Sequence, residues 1–354
     1  PGFNWWIARR AKAHGIPVFY YVPPQIWAWA SWRVKKMRAF VDHVLCSLPF
    51  EAAWYRERGC NATFLGHPYF DEVGAQVLDE KFVAAHTDHE RPLVTILPGS
   101  RTLDVTQNLE TFLKAAALVR ERVPSARFAI ASFKPHQAQL ARQMVAASGL
   151  PVDVFVRRTP ELIRAAECCL AVSGSVSLEL LYQTKPTAIL YRISPFAFRV
   201  QKHFRHTRYI TLVNMLASGD VFPRDVLSYE PEASAAPLDA GVLFPEYLTC
   251  EDKSRPLADH IVAWLTDRPA REKLVAQLAE LKQTIGHGGA SRRATSYILD
   301  ALVRRPASVP RPHFLPTAQC ESSAANSAAP NSAASNSAGP TSAAADSTAS
   351  RQAA

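Results

Sequence analysis

Short apolar runs separated by amphipathic stretches set the pattern of this chain. Residues 93–97, 127–132, 152–156, 168–172 and 187–191 each read as a buried strand. Between the first two, residues 105–122 place Leu109, Phe112, Leu113 and Ala116 at helical spacing, and Pro124 stops the run. Segments 135–147, 160–166 and 176–183 read as helices, and 256–303 as two or three helices that close the fold. Residues 1–65 repeat the alternation at shorter spacing, with a basic amphipathic helix at 5–13, strands at 17–22, 41–46 and 63–65, and a helix at 49–58. Strands that alternate with helices predict parallel α/β sheets. Residues 75–91 are polar and predict a linker. From about 307 the chain is rich in Ser, Ala, Asn and Pro, with Phe314 and Leu315 as its large apolar residues, and it predicts disorder because it cannot bury enough surface to offset its ordering entropy.

Composition sharpens this picture. The chain has 354 residues and is 48% hydrophobic, enough for two domains with a sizeable core. Its apolar runs are all too short to predict a membrane-spanning helix. The opening at Pro1 is aromatic and basic rather than signal-like, and predicts the middle of a fold within a longer chain. The cysteines Cys46, Cys60, Cys168, Cys169, Cys250 and Cys320 are scattered without a CxxC pair and predict free thiols in a reducing compartment. The net charge is +9, and residues 1–50 carry Arg9, Arg10, Lys12, Arg33, Lys35, Lys36 and Arg38 against the acid Asp42. That surface suits polyanions or an anionic membrane, or is simply a solvated basic face.

Two strand-to-helix turns carry the candidate chemistry. The run 93–97 breaks at Pro98-Gly99 into Ser100-Arg101. A helix N-terminus offers free N–H groups to an anion, and an Arg adds a fixed charge with a planar fork of donors. The second turn, Ser173-Gly174-Ser175, leads into a helix with Glu179 one turn in. A carboxylate there could accept hydrogen bonds from a ribose diol. Together the turns suit a nucleotide diphosphate, the plainer reading being two ordinary tight turns. There is no GxGxxG, P-loop, HExxH, GxSxG or zinc-type spacing. His67, between Gly66 and Pro68, is either a site residue or a structural hydrogen-bonder. Trp27, Trp29 and Trp32 beside Lys35 and Lys36 could form an interfacial belt or belong to the core, with 27 and 29 on one face of an extended segment. A nucleic-acid role would rest on charge alone.

With these residues in place, the chain resembles the lipid-A-disaccharide synthases over residues 1 to about 303. The markers are Pro1-x-Phe3-Asn4, Tyr21-Val22-x-Pro24-x-x-Trp27-Ala28-Trp29, Leu48-Pro49-Phe50-Glu51, Phe64-Leu65-Gly66-His67-Pro68 and Leu97-Pro98-Gly99-Ser100-Arg101. Further along come Ser173-Gly174-Ser175 through Leu178-Glu179, Tyr191-Arg192 with Pro195-Phe196, Asn214-x-Leu216-Ala217 and Pro245-Glu246-Tyr247-Leu248. The resemblance implies a GT-B α/β fold of two Rossmann-like domains around a cleft: residues 1–84 as part of an acceptor-side domain and 85–305 as the UDP-sugar-binding domain, followed by the tail 306–354.

It also implies inverting transfer from UDP-2,3-diacylglucosamine to 2,3-diacylglucosamine 1-phosphate, giving the β-1,6 disaccharide 1-phosphate and UDP, without metal or cofactor. Arg101 would serve the leaving phosphate. Ser100, Ser173, Gly174, Ser175, Glu179, Arg192, Asn214, Glu246 and His67 would bind substrate. The location would be peripheral, on the cytoplasmic face of the inner membrane, with a homodimer left open and no nucleic-acid partner. The family's candidate acceptor base would fall two residues before Pro1, outside this sequence. Residues 228–240 look like an insertion, and the tail is not a family feature. Two other readings stand beside this one: another UDP-N-acetylglucosamine enzyme of the same fold, either a 2-epimerase or a peptidoglycan glycosyltransferase, and a truncated, inactive membrane-associated binding module.

Overall fold

The apolar runs become strands close to where the pattern places them. The computed structural model describes residues 2–223 and 242–304, without the side chains of 202–204. The 228–240 segment and the 306–354 tail lie outside the described residues. The first part of the chain runs α1 (Gly2–Ala13), β1 (Phe19–Tyr21), α2 (Ile26–Trp29), a single 3-10 turn (Ser31–Arg33), α3 (Val34–Phe40), β2 (His43–Cys46), α4 (Pro49–Glu57) and β3 (Ala62–Phe64). Its strands form a parallel three-stranded sheet in the order β1-β2-β3, with Phe19 opposite His43 and Val44 opposite Ala62. Two short helices follow, α5 (Tyr69–Gly74) and α6 (Glu80–His86).

A longer alternation comes next: β4 (Leu93–Leu97), α7 (Thr102–Arg122), β5 (Arg127–Ser132), α8 (Pro135–Ser148), β6 (Val152–Val156), α9 (Thr159–Ala165), β7 (Cys168–Val172), α10 (Val176–Tyr182) and β8 (Thr187–Arg192). Then come α11 (Pro195–Phe204), α12 (Leu212–Ala217), β9 (Glu246–Thr249), α13 (Ser254–Thr266), α14 (Arg268–Ile285) and α15 (Ala290–Val303). The strands make a six-stranded parallel sheet in the order β6-β5-β4-β7-β8-β9. The chain winds outward from β4 in one direction and outward from β7 in the other. The switch point between those two central strands is where ligands gather in open α/β sheets.

Every residue of β4 and β7 is buried, as expected for central strands covered by helices on both faces. The polar exception, Thr95, donates its hydroxyl to Leu162 O at 2.9 Å. One core gathers Ile96, Leu109, Phe112, Ile130 and Leu170 around the larger sheet. A second packs Trp27, Met37 and Tyr55 beside the smaller sheet and includes Tyr209, Met215 and Val242 from late in the chain. All the described elements belong to one compact unit, Pro1–Val309.

Two local expectations change. The polar stretch 75–91 contains helix α6, started by Asp79, whose side chain accepts from Phe82 N at 3.1 Å. An aromatic cluster holds it: Phe82 stacks on His86 at 4.0 Å and meets Phe155 edge-on at 5.2 Å. The tryptophan segment is helical rather than extended, so Trp27 and Trp29 turn to different faces. Trp27 is 1% exposed and donates its indole N–H to Glu51 Oε1 at 3.0 Å, whereas Trp29 and Trp32 are 50% and 55% exposed. Among the described cysteines, Cys46, Cys60, Cys168 and Cys169 are buried free thiols and Cys250 is half-buried.

Candidate functional site

The loops after β4 and β7 meet at the switch point. The first requires glycine. Gly99 sits at φ +113°, and a Cβ there would fall 2.5 Å from Asp104 Cβ and 3.1 Å from Val172 Cγ2. Arg101 then occupies the cap position of α7, with no side chain capping the helix and its own guanidinium exposed and unpaired among the described residues. The turn is braced against α8: Gln137 Nε2 donates to Ser100 O at 2.7 Å, and Thr102 Oγ1 lies 3.1 Å from His136 Nε2. In the second loop Ser173 Oγ donates to Ile210 O at 3.0 Å and Ser177 Oγ to Gly174 O at 2.7 Å.

Between the loops lies a cavity of about 510 Å³, within the range of small-molecule sites. Ser100, Arg101, Ser173, Gly174, Ser175 and Glu179 all face it. Its cations are Arg101 and Arg157, and its acids are Glu72, Asp104 and Glu179. A hollow of about 520 Å³ beside Phe19, His43 and Tyr297 lies away from this switch point and is bordered by Asp42 and Asp300. Among the described residues no group of three or more His, Cys, Asp or Glu is placed to hold a metal ion.

Glu179 is the unusual member. It is 4% exposed, and no basic side chain among the described residues pairs with it. Tyr69 OH donates to its Oε2 at 3.0 Å, while Oε1 is buried without a partner. Burial, reinforced by the nearby charges of Glu72 and Glu161, pushes its pKa above the usual carboxylate range.

The remaining sequence candidates do not line the cavity. His67 is half-buried, and its Nδ1 accepts the Tyr69 N–H at 3.2 Å; burial lowers its pKa, so it acts as a neutral acceptor. Arg192 turns away because strand residues alternate faces, and its neighbour Tyr191 lines the cavity instead. The Arg192 N–H donates to Asn108 Oδ1 at 2.9 Å, and its guanidinium reaches Thr111 Oγ1 at 3.3 Å.

Asn214 and Glu246 form a buried brace between α12 and β9. Asn214 Nδ2 donates to Glu246 Oε2 at 2.9 Å and to Phe244 O at 2.7 Å, while its Oδ1 accepts from Leu243 N and Phe244 N. Glu246 also accepts from Ile210 N, Thr211 N and Thr211 Oγ1 at 2.6, 3.0 and 2.6 Å. Their hydrogen bonds go to the fold rather than to the cavity.

Sequence reasoning did not single out Tyr69 and Glu72 on α5, Gln76 just after it, Phe133 after β5, or Arg157 after β6, all of which line the cavity. Tyr69 follows the Gly66-His67-Pro68 turn directly, which was its available signal. Arg157 had none, because only the folded chain shows it held at φ +56° beside the cavity.

Residues 1–237 match the family described as lipid-A-disaccharide synthetase. The lipid-A-disaccharide synthase of Trichlorobacter lovleyi is 32% identical over 300 residues, covering 84% of this chain and 73% of its own length. That of Geobacter sulfurreducens is 31% identical over 303 residues, covering 85% and 73%. Among solved structures, a Staphylococcus aureus protein determined with UDP superposes with TM-score 0.55 at 12% identity, covering 86% of this chain and 75% of its own. The UDP-N-acetylglucosamine 2-epimerase of Neisseria meningitidis gives 0.52 at 10% identity, covering 84% and 73%. Identities that low establish only the fold, the α/β architecture of GT-B type. The family match and the relatives' identity establish more: this chain belongs to the lipid-A-disaccharide synthase family of glycosyltransferases.

Proposed function

We propose that the switch-point cavity holds the UDP part of UDP-2,3-diacylglucosamine, and that residues 85–305 form the donor side of a cleft whose acceptor side includes residues 1–84. The observation that carries this reading is the convergence of both strand-to-helix turns and Glu179 on one cavity. The diphosphate would lie against Arg101 and the uncapped first turn of α7. Glu179 Oε1, buried and unpartnered, would accept from the ribose diol.

In the reaction, the 6-hydroxyl oxygen of 2,3-diacylglucosamine 1-phosphate attacks the anomeric carbon from the face opposite UDP. The bond to the diphosphate oxygen breaks, UDP leaves with the bonding pair, and the hydroxyl proton passes to a base. Negative charge grows on the diphosphate as it leaves, so a fixed guanidinium beside it binds the transition state more tightly than the ground state. Asp104 in the first turn of α7 partly offsets that field.

Acylated substrates reside in a membrane, and the surface of residues 1–40 supports docking there. Phe3, Trp6 and Ile7 are exposed on one face of α1, and Arg33 lies 5.0 and 6.0 Å from the ring centres of exposed Trp29 and Trp32. No helix among the described residues is long and apolar enough to cross a membrane. Peripheral attachment to the cytoplasmic face of the inner membrane follows from this reading.

The test is calorimetric titration of UDP. Arg101→Ala should weaken binding by about tenfold to a hundredfold, the worth of a charge-assisted hydrogen bond. Unchanged affinity would remove Arg101 from the phosphate site. Product analysis with acylated and unacylated UDP-sugar separates disaccharide synthesis from 2-epimerisation.

A further inference from the structure

Glu179 faces the cavity with one oxygen held and the other idle, and the group that holds it comes from outside the six-stranded sheet. Tyr69 opens α5, just after the Gly66-His67-Pro68 turn, and α5 packs on α10, which carries Glu179. We infer that Tyr69 is a positioning residue: its hydroxyl fixes Glu179 Oε2 so that Oε1 stays presented to the ribose, and this geometry sets the preference for a ribonucleotide over a 2′-deoxyribonucleotide. The inference rests on the reading that the cavity binds UDP.

Three observations support it. The Tyr69 hydroxyl, 3.0 Å away, is the one hydrogen-bond donor to Glu179 among the described side chains, so without it the carboxylate has no fixed rotation about its last bond. Tyr69 is itself held. Its backbone N–H donates to His67 Nδ1 at 3.2 Å, and the next residue, Phe70, packs against Tyr182 on α10 with ring centres 6.3 Å apart. Burial and the adjoining Glu179 charge raise the Tyr69 phenol pKa, so at neutral pH it remains protonated and can only donate on that side. A carboxylate with one oxygen committed offers the other in a single direction, as supporting hydrogen bonds do for ligand groups elsewhere. This also gives His67 a place in the site, acting through Tyr69 rather than on the ligand.

The experiment compares the affinities of UDP and 2′-deoxy-UDP by calorimetry, with inorganic pyrophosphate as a ribose-free control. The unaltered chain should prefer UDP by about tenfold or more. Glu179→Gln should bring the ratio to within about twofold of unity. Tyr69→Phe, which removes only the hydroxyl, should lower the ratio severalfold while leaving pyrophosphate affinity unchanged. The double variant should be no worse than Glu179→Gln alone. If Tyr69→Phe keeps the full preference while Glu179→Gln loses it, Tyr69 is merely a wall and the inference fails. If Glu179→Gln keeps the full preference, the ribose reading fails with it. His67→Ala gives an independent second arm: it should lower the same ratio by a smaller factor, and an unchanged ratio there counts against positioning through Tyr69.

Discussion

Single residues show how burial decides what a polar side chain can do. Glu51 and Glu246 both lie in the core, each with its oxygens occupied by donors; Trp27 Nε1 and Ser47 N serve Glu51 at 3.0 and 3.2 Å. Desolvation outweighs those donors and lifts both carboxyls from 4.5 to about 7. Because the folded pKa is the higher one, the native state holds protons that the unfolded chain releases between 4.5 and about 7. This contribution to stability is therefore fully present below 4.5 and is lost as pH rises through about 7. Urea unfolding of the full chain should give a lower free energy at about pH 7.5 than at about pH 5.5, with a shallower slope in Glu51→Gln. An identical slope in that variant would mean the linkage lies elsewhere. The sequence flagged Glu246 by its motif but could not separate a ligand-binding carboxylate from a braced one, since that depends on which neighbours fold around it.

At the scale of elements, the returning helix α15 fastens onto the small sheet. Asp71 on α5 accepts the N–H groups of Gly289, of Ala290 at 3.3 Å and of Ser291 at 2.9 Å, capping α15 from a distant part of the sequence. Arg293 on α15 donates to Leu65 O at 2.8 Å, and Gly66 at φ +91° leaves room for its guanidinium, which would lie 2.5 Å from a Cβ there. Tyr297 OH and His43 Nδ1, 3.0 Å apart, join the same helix to β2. Asp71→Ala should cost about 1–2 kcal/mol in denaturant unfolding, with Asp71→Asn recovering part of it, and a loss below about 0.5 kcal/mol would show that water replaces the cap. The strands were legible because fully buried parallel strands are near-continuous apolar runs. Helix α6 was not, because a polar stretch stabilised by Asp79 and the Phe82–His86–Phe155 cluster has no periodicity of its own. The late strand β9 was equally silent, being short and carrying the buried polar residues Glu246 and Thr249.

For the whole molecule, the decisive fact is the strand order, which brings the loops at 98–101 and 173–175 to one point from far apart in sequence. The same scale holds the charge asymmetry. Exposed Trp29 and Trp32, with Arg33 against both rings and Lys35 and Lys36 following, form an amphipathic surface suited to an anionic interface. Co-sedimentation with vesicles containing phosphatidylglycerol should exceed that with neutral vesicles, weaken at high salt, and fall severalfold in a Trp29→Ala/Trp32→Ala variant. Equal binding to both vesicle types would discard the electrostatic part of this reading.

The sequence by itself determined the class of fold and the family and singled out the turn that carries Gly99 and Arg101, since these rest on local periodicity, turn chemistry and short motifs in a fixed order. Only the tertiary structure decided which motif residues share a cavity. It placed Arg101, Ser173–Ser175 and Glu179 together, turned Arg192 to the opposite face of its strand, committed Asn214 and Glu246 to the core, and brought Tyr69 to Glu179. The physical reason is that strand order, strand parity and the competition of buried donors for each acceptor are properties of contacts between distant segments, and no local stretch of sequence encodes them.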